Sequence, residues 1–516
     1  MLRRIALALL LFLVAAPLWA RHSQQPWVAL DAAGRLVYRT LPRGDRIADF
    51  SYAGYMGGGI PLPIVPAALV VRPSGGDDTA SIQQAIDHIS ALPLRNGFRG
   101  AVMLARGTFD CAGTLTLRAS GVVLRGSGNA PGGTILRMTG QPHVAIAIGG
   151  EESIQPVGPV AHIVRNYVPS GAQSITVDNP AAFAPGDTIR IVRSTTAAWL
   201  HFMGMDHLSR DGHPETWVGN DISTLRTVVA RRGSVLQLDV PLTDSYDRKY
   251  LPPEGAEVRK VLVTGRIEQV GVEDLHIVAP PREVGFHDPL FCAMKLEGLR
   301  DGWLRNVLVD DTTEGIDLGK DTQRVTVENV VFRHRTTVTS SARPADFLLA
   351  GSQLLVYRCG SVGDDEFYVI TGARNQGPNV VLDSKFLGDG RIQPHQRWAT
   401  GLLVDNTQVP QGGIDMMNRG ELGSGHGWTM GWGVVWNSSA ASLVIQSPPG
   451  AVNWSIGTSG DELKAPMKII GIPRRDLGPN LPQGILSSPG HRVLPDSLYR
   501  AQLARRLGPN ALQALK

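Results

Sequence analysis

Five stretches decide the fold of this chain: Val272-Glu-Asp-Leu-His-Ile-Val278, Trp303-Leu-Arg-Asn-Val-Leu-Val309, Val325-Thr-Val-Glu-Asn-Val-Val-Phe332, Leu354-Leu-Val-Tyr-Arg-Cys359 and Asn379-Val-Val-Leu-Asp-Ser-Lys-Phe386. In each of them apolar residues, many of them β-branched, recur with the period of a strand. Successive stretches begin about 22 to 31 residues apart, a spacing typical of solenoids whose coils carry two or three short strands. The pattern predicts a parallel β-helix, and a β-sandwich is the alternative.

The N-terminal block predicts a capping helix and further strands. The stretch Gly76-Asp-Asp-Thr-Ala-Ser-Ile-Gln-Gln-Ala-Ile-Asp-His-Ile89 opens with polar capping residues and repeats apolar side chains at helical spacing. It therefore predicts one amphipathic helix. Strand patterns interrupted by glycine follow at 100–109, 114–117 and 121–128.

Three parts of this block carry a family resemblance. Asp77-Asp-Thr-Ala-Ser-Ile-Gln-Gln-Ala-Ile86, Ala101-Val-Met-Leu-Ala-Arg-Gly-Thr-Phe109 and Ser120-Gly-Val-Val-Leu-Arg-Gly-Ser-Gly128 resemble the opening of the pectate-lyase-like superfamily. Members of that superfamily are right-handed parallel β-helices with an N-terminal capping helix, and most act on polysaccharides. The resemblance implies an all-β chain built as one single-stranded right-handed parallel β-helix. It does not fix the reaction, because lyases, hydrolases, epimerases and phage spikes share the scaffold.

The organisation of the chain is predicted from changes of pattern. Residues 1–20 have a basic start, an apolar run and a small residue at the end, which predicts a secretory signal peptide; a retained membrane anchor is the alternative. An extended leader or cap at 21–75 precedes the capping helix and first coils at 76–159. Antiparallel-looking strands predict a small β insertion at 160–260. The remaining coils occupy 261–470 and are predicted to carry the active-site groove. A tail with a C-terminal helix occupies 471–516.

Composition limits the function classes. The 516 residues are 43% hydrophobic and 19% charged, which supports a large core and excludes a disordered chain. The formal net charge is +4, and removal of Arg3 and Arg4 with the signal peptide lowers it by two. A nearly neutral mature protein indicates no nucleic-acid partner, although arginines could still line a groove for an anionic glycan.

The three cysteines do not form a disulfide framework. Their number is odd, and Cys111, Cys292 and Cys359 are widely separated. Cys292 and Cys359 lie in strand patterns and are expected to be small buried apolar residues. Pairing between neighbouring coils stays open at this point.

Charged loops between strands supply the candidate catalytic residues. Neighbouring coils of a solenoid lie about 4.8 Å apart, so side chains from successive coils can meet. The acid-rich turn 363–367 is followed one or two coils later by a loop with histidine and arginine, and then by a histidine between two glycines. A histidine between acids and arginines is suited to proton transfer. The predicted catalytic residues are Asp364, Asp365, His395, Arg397 and His426.

Further side chains of these loops are predicted to bind substrate. They are polar groups that can bind a uronate and aromatic rings that can stack on sugar: Arg391, Asn418, Arg419, Trp398, Trp428 and Trp199. For Trp199 and Trp217 the alternative is that they pack the insertion onto the solenoid. Acid-rich turns also have a purely structural alternative, in which they cap backbone amides.

Two enzyme mechanisms are compatible with these residues. In a lyase, Arg397 or Arg419 would neutralise a uronate carboxylate and His395 or His426 would remove the C5 proton. Calcium is the candidate cofactor, with Asp364, Asp365 and Glu366 as oxygen ligands. In a hydrolase, paired carboxylates would act across the glycosidic bond.

The hydrolase alternative rests on a second resemblance. Gly315-Ile-Asp-Leu318, Gly363-Asp-Asp365 and Gly425-His-Gly427 are similar to motifs of the polygalacturonase family. The spacings are longer than in that family, and neither its Asn-Thr-Asp nor its Arg-x-Lys is found. We therefore favour a secreted or periplasmic lyase acting on an anionic polysaccharide. A non-catalytic glycan-binding β-helix is the third hypothesis.

Overall fold

The computed structural model describes residues 26–285, 287–335, 345–466 and 481–516. The predicted signal peptide lies outside the described residues. Within the ranges given, none of the helices has the length and apolar character that a membrane crossing requires.

The chain consists mainly of strands, with short helices between some of them. The α-helices are α1 (Thr79–Ser90), α2 (Ala197–Phe202), α3 (Leu422–Gly425) and α4 (Leu498–Leu507), and 3₁₀ turns lie at Tyr55–Gly57, Pro180–Ala182, Arg248–Tyr250 and Pro509–Leu515. The strands before the insertion are β1 (Val28–Leu30), β2 (Leu36–Tyr38), β3 (Ala67–Val71), β4 (Gly100–Leu104), β5 (Gly107–Cys111), β6 (Leu115–Leu117), β7 (Val122–Arg125), β8 (Thr134–Met138) and β9 (Val144–Gly149).

The remaining strands divide into those of the insertion and those of the later coils. The insertion contains β10 (Ser153–Pro156), β11 (Ala161–His162), β12 (Tyr167–Val168), β13 (Ser174–Thr176), β14 (Thr188–Arg193), β15 (Ser209–Arg210), β16 (His213–Pro214), β17 (Ile222–Arg232), β18 (Val235–Leu238), β19 (Tyr246–Asp247) and β20 (Glu257–Thr264). The later coils contain β21 (Ile267–Glu268), β22 (Gly271–Val278), β23 (Cys292–Glu297), β24 (Leu299–Asp310), β25 (Glu314–Leu318), β26 (Gln323–Glu328), β27 (Val331–Arg333), β28 (Ala345–Leu349), β29 (Leu355–Tyr357), β30 (Gly360–Val362), β31 (Phe367–Thr371), β32 (Gln376–Leu382), β33 (Lys385–Leu387), β34 (Arg391–Ile392), β35 (Ala399–Asp405), β36 (Gln408–Met416), β37 (Met430–Gly431), β38 (Val434–Trp436), β39 (Ser439–Ile445), β40 (Trp454–Ile456), β41 (Ser459–Leu463) and β42 (Ile485–Ser487).

Strands of successive coils pair in parallel and form three sheets. The first sheet has the order β3-β4-β7-β22-β24-β26-β29-β32-β35-β38-β40-β42. The second has the order β5-β8-β22-β24-β27-β30-β33-β36-β39-β41. The third has the order β6-β9-β23-β25-β28-β31-β34-β36-β39-β41. The parallel β-helix predicted from the sequence is confirmed.

The interior of the solenoid is apolar because alternate residues of each strand point inward. Ile316 and Leu318 of β25 and Phe347 of β28 are fully buried there, while Asp317 between them is only partly covered. Helix α1 closes the N-terminal end with its buried isoleucines, as predicted. All three cysteines are buried free thiols, so the expectation for Cys292 and Cys359 is confirmed.

The β insertion is a separate antiparallel unit with its own core. Strand β20 pairs with β10 and β14, and β14 continues through β17 and β18 to β13. Its inner face buries Phe183, Ile189 and Leu236. The insertion also bonds to later coils, for example through the Thr243 and Thr400 hydroxyls at 2.9 Å. It is thereby fixed at the start of strand β35 in the first sheet.

Both ends of the described chain cover the outer face of the first sheet. Trp27 and Phe50 from the leader pack in one cluster with Trp454 and with Tyr499 of α4. The start of α4 is held against strand β35 because Ser497 Oγ donates to Asp405 Oδ2 at 2.7 Å. The predicted C-terminal helix is confirmed, and the first sheet has no room for a substrate where these segments lie.

Candidate functional site

The outer face of the third sheet remains available and carries a row of stacked positions. Lys295, Asp317, Leu348 and Ile370 are register partners on β23, β25, β28 and β31. Stacked positions of neighbouring parallel strands lie about 4.8 Å apart, so the row extends for about 14 Å. We call this surface the outer groove. The cluster of histidine and arginine side chains described next lies beyond its Ile370 end.

Two histidines and an arginine from two loops meet beside β31. Arg419 Nη1 donates to His395 Nδ1 at 3.0 Å and to the His395 carbonyl oxygen at 3.1 Å. The rings of His395 and His426 have centroids 4.7 Å apart, and the ring of Phe367 lies edge-on to His395 at 5.3 Å. We call this group the His–Arg pocket. It unites three residues that the sequence predicted as candidates.

The proton positions in the pocket follow from the arginine. A guanidinium can only donate, so His395 Nδ1 accepts and the ring proton of neutral His395 lies on Nε2. His426 Nδ1 has no hydrogen-bond partner among the described residues. The pocket thus contains one N–H donor on His395 and, beside a cation, the unused Nδ1 of His426, which is itself buried.

Burial and positive charge keep both imidazoles neutral. Burial, then Arg419 and His426, hold the pKa of His395 well below its usual value. Burial, then Arg419 and Arg397, lower the pKa of His426 to about 3. Burial also lowers the pKa of Arg419 to about 10, which leaves it charged at neutral pH. His395 is partly exposed, whereas only 8% of His426 and 4% of Arg419 are accessible, so His395 lies at the mouth.

The insertion and several glycines hold the His426 loop in place. Glu421 accepts a hydrogen bond from the Ser209 amide at 3.1 Å, and Arg210 donates to the Gly423 carbonyl at 3.0 Å. A Cβ on Gly427 would overlap the ring of Trp217, and Gly427 has a φ of +55°. Gly427 therefore allows close packing of the His426 loop against the insertion.

Arg397 has a different position from the one predicted. Its φ is +53°, so the segment is not extended there, and the side chains of His395 and Arg397 are not placed on one face by strand alternation. Its Nη2 donates to the Ser424 carbonyl and hydroxyl oxygens at 2.7 and 2.8 Å. Arg397 therefore braces the His426 loop and contributes positive charge to the pocket.

Two predicted substrate-binding side chains are committed to other contacts. Arg391 is buried in an ion pair, with Nη2 at 2.6 Å from Asp415 Oδ1. Asn418 is buried, and its Oδ1 accepts the Gly420 amide at 2.7 Å. These contacts correct the predictions for Arg391 and Asn418, because neither side chain is presented to a ligand.

The predicted aromatic platforms are interior residues. Trp199, Trp398 and Trp428 are 1%, 2% and 3% exposed. Trp199 stacks on Trp217 with centroids 5.0 Å apart, and Trp398 lies edge-on to both rings. The prediction that these rings stack on sugar is corrected: they pack the insertion onto the solenoid, which was the alternative for Trp199.

The acid-rich turn 363–367 divides between two environments. The Asp389 amide donates to Asp364 Oδ1 at 3.0 Å, and the Asp365 amide donates to Asp389 Oδ1 at 2.7 Å. Glu366 instead is 1% exposed and turns toward His334. The prediction that Asp364, Asp365 and Glu366 together bind calcium is therefore wrong, because Glu366 lies in a different environment from the two aspartates. Catalysis by Asp364 and Asp365 stays a prediction.

A buried group that the sequence did not reveal lies around Glu366. His334 Nε2 is 2.8 Å from Asp346 Oδ1 and 3.5 Å from Glu366 Oε2. The two carboxylates raise the pKa of His334 to about 9 despite its burial. Burial and Asp346 raise the pKa of Glu366 to about 9. Among the described residues, this is the one group of three or more histidine, cysteine or acidic side chains whose ligand atoms could share a metal ion.

Asp317 is another candidate, and it was not among the catalytic residues predicted from the sequence. Burial, then Glu297 and Glu314, raise its pKa to about 6 against the opposing effect of Lys295. It projects from β25 into the outer groove. The Gly315-Ile-Asp-Leu318 similarity was the signal that could have identified it.

No family model matches the chain, and no curated protein matches it. Among solved structures it is similar to the tailspike gp61 of Pseudomonas phage phi297, with 12% identity over 75% of this chain and 67% of that one, and a TM-score of 0.30. It is also similar to the tailspike of E. coli bacteriophage HK620 in complex with pentasaccharide, with 11% identity, 76% and 55% coverage, and a TM-score of 0.39.

A third similar structure is that of an enzyme. The catalytic unit of the GH87 alpha-1,3-glucanase from Streptomyces thermodiastaticus is 10% identical over 84% of this chain and 71% of that one, with a TM-score of 0.25. One of these similar structures is thus of a glucanase, and another holds a bound pentasaccharide. Scores this low leave the reaction to be argued from the site.

Proposed function

We propose that the protein is a secreted or periplasmic enzyme that cleaves an anionic polysaccharide by β-elimination in the His–Arg pocket. The observation that carries this proposal is the charge of the pocket: Arg419 lies beside two neutral imidazoles, Arg397 adds positive charge, and Asp415, the carboxylate whose charge acts on Arg419, is already paired with Arg391. A uronate carboxylate is the complementary ligand for such a site.

Each pocket residue has a role in this mechanism. Arg419 binds the uronate carboxylate and stabilises the negative charge that develops when the C5 proton leaves. We assign the removal of that proton to His426, whose unused Nδ1 is buried and must be uncovered when substrate binds. The C4–O4 bond breaks as the C4=C5 double bond forms, and the departing oxygen is stabilised by the Nε2–H of His395 and protonated by solvent. The proton on His426 then passes to solvent.

The low pKa of His426 does not exclude it as the base. The pKa is low partly because of Arg419, and a bound carboxylate would offset that charge. The pKa of His426 would therefore rise when substrate binds, which moves it toward the range in which a general base works well.

Hydrolysis is the second candidate, and Asp317 is the observation that favours it. A carboxyl group with a pKa of about 6 beside further carboxylates is suited to act as a general acid. A glycosidase needs two carboxyl groups about 5 to 9.5 Å apart. Glu297 and Glu314 are the candidates for the second one.

Product analysis distinguishes the two candidates. The mature protein is incubated with a panel of uronate polysaccharides and neutral glucans, and ultraviolet absorbance and new reducing ends are measured in the same samples. Elimination creates an unsaturated chromophore, so we expect absorbance and reducing ends to rise in equal molar amounts with a uronate polymer. Reducing ends without absorbance would replace elimination with hydrolysis, and a matched Asp317→Asn variant would then lose the activity.

A further inference from the structure

The side chains of His334, Asp346 and Glu366 form a compact buried group outside the His–Arg pocket. Their ligand atoms all lie within 4.8 Å of one another. Ligands bound to one ion at about 2.0 to 2.2 Å are separated by about 3 to 3.5 Å, so small side-chain movements would bring these three onto a common ion. Asp346 and Glu366 are 0% and 1% exposed, so two carboxylates are held together away from water.

A second observation points to a missing partner in this group. Asp346 Oδ2 is buried and has no hydrogen-bond partner among the described residues. An unpaired buried carboxylate oxygen is costly, and burial of two carboxylates beside one histidine is costlier still. A divalent cation would supply the partner and offset the negative charge.

The surrounding residues fix two of the three ligands, His334 and Glu366, in position. Ser361 Oγ donates to Glu366 Oε2 at 3.2 Å, and Phe332 stacks on the His334 ring with the two planes 3° apart. A Cβ on Gly363 would overlap the Glu366 carboxylate, so glycine is required there for Glu366 to turn inward. Ligands held by packing and by neighbouring hydrogen bonds are typical of metal sites.

We propose that His334, Asp346 and Glu366 bind a first-row divalent transition metal ion. One imidazole nitrogen with two carboxylates suits Zn²⁺ or Mn²⁺ better than calcium, which prefers six to eight oxygen ligands. The ion would tie the end of β27, strand β28 and the turn before β31 together across three successive segments of the solenoid. Its first effect would be on stability, and the site is separate from the elimination proposed for the His–Arg pocket.

The test measures metal content and thermal stability in the full mature protein. After chelator treatment, the protein is dialysed against ZnCl₂, MnCl₂ or CaCl₂, and bound metal is measured by mass spectrometry. We expect about one Zn²⁺ or Mn²⁺ per chain, and a melting temperature that rises with metal concentration, as ligand binding to the native state requires. Asp346→Asn and Glu366→Gln, which keep side-chain size, should each weaken Zn²⁺ binding at least about tenfold.

Asp310→Asn is the matched control. Asp310 lies 3.2 Å from His276 Nε2, so the variant alters another buried histidine–aspartate pair, and it should retain the ion. No stoichiometric uptake by the wild type, equal uptake by Asp346→Asn, or retention of calcium alone would overturn the proposal. The wild-type melting curves with and without Zn²⁺ keep the test decisive if a variant does not fold.

Discussion

Replacing Arg419 with lysine is expected to lower kcat/KM on a uronate polysaccharide by about 10²-fold or more, because lysine keeps the charge but loses the planar fork that binds a carboxylate. Removing one preorganised donor from a developing anion typically costs about 10²–10³ in rate. His426→Gln should cost about 10²–10⁴, the usual effect of losing a general base. Initial rates from ultraviolet absorbance measure both effects.

The pH dependence tests the assignment of His426 as the base. A base must be unprotonated, so kcat/KM of the wild type should hold down to acid pH and fall only near the His426 pKa of about 3. Arg419→Gln removes the neighbouring charge and should raise that pKa, so that the acid limb of the profile moves to higher pH. An acid limb that stays in place in this variant would mean that His426 is not the base.

Arg358→Lys serves as the matched control for Arg419. Arg358 is exposed and follows strand β29 of the first sheet, and its Nη1 donates to the Lys516 carbonyl at 3.0 Å. The same substitution there should leave kcat/KM within about twofold, as expected of a surface change. An Arg419→Lys rate equal to that of Arg358→Lys would contradict the role given to Arg419.

Trp398→Ala is expected to destabilise the protein by about 3–5 kcal/mol, the cost of truncating a large buried aromatic side chain. Trp398 packs edge-on to Trp199 and Trp217, and its Nε1 donates to Asp244 at 3.0 Å. The variant leaves a cavity between the insertion and the solenoid. Urea denaturation followed by fluorescence and by circular dichroism would measure the loss.

Trp398→Phe is the companion variant. It retains most of the ring packing and loses the hydrogen bond, so its loss of stability should be clearly smaller than that of alanine. If Trp398→Ala kept normal stability and lost only substrate affinity, Trp398 would be a sugar platform after all, and the packing described here would be wrong.

The repeat pattern of the sequence contains most of the information about the fold. Inward residues such as Ile316 and Phe347 recur with the period of the strands, and the spacing of the stretches sets the coil length. Helix α1 could also be predicted from the sequence, because its capping residues and apolar face are local in sequence. Features that depend on near neighbours in the chain were therefore predictable.

Side-chain directions in the turns were not predictable. Glu366 lies one residue before β31, and a shift of one residue reverses the face to which a side chain points. It turns inward to His334, while Asp364 points to the next coil. The register shift between Phe367 and Val369 is likewise invisible in the sequence pattern.

Tertiary packing explains the other differences. Trp199 and Trp398 are far apart in sequence, and only the docking of the insertion brings them together. The His334, Asp346 and Glu366 group unites three separate segments, none of which carries a recognisable ligand spacing. His395, Arg419 and His426 could be predicted because they are charged or titratable side chains in loops between strands, where function is concentrated.

The most direct measurement is a crystal structure of the His426→Gln variant with a uronate oligosaccharide bound. Elimination in the His–Arg pocket predicts a uronate carboxylate within about 3 Å of Arg419, with C5 directed toward position 426 and the glycosidic oxygen near His395 Nε2. An oligosaccharide seated instead against Asp317 in the outer groove, with no carboxylate near Arg419, would contradict elimination in the His–Arg pocket.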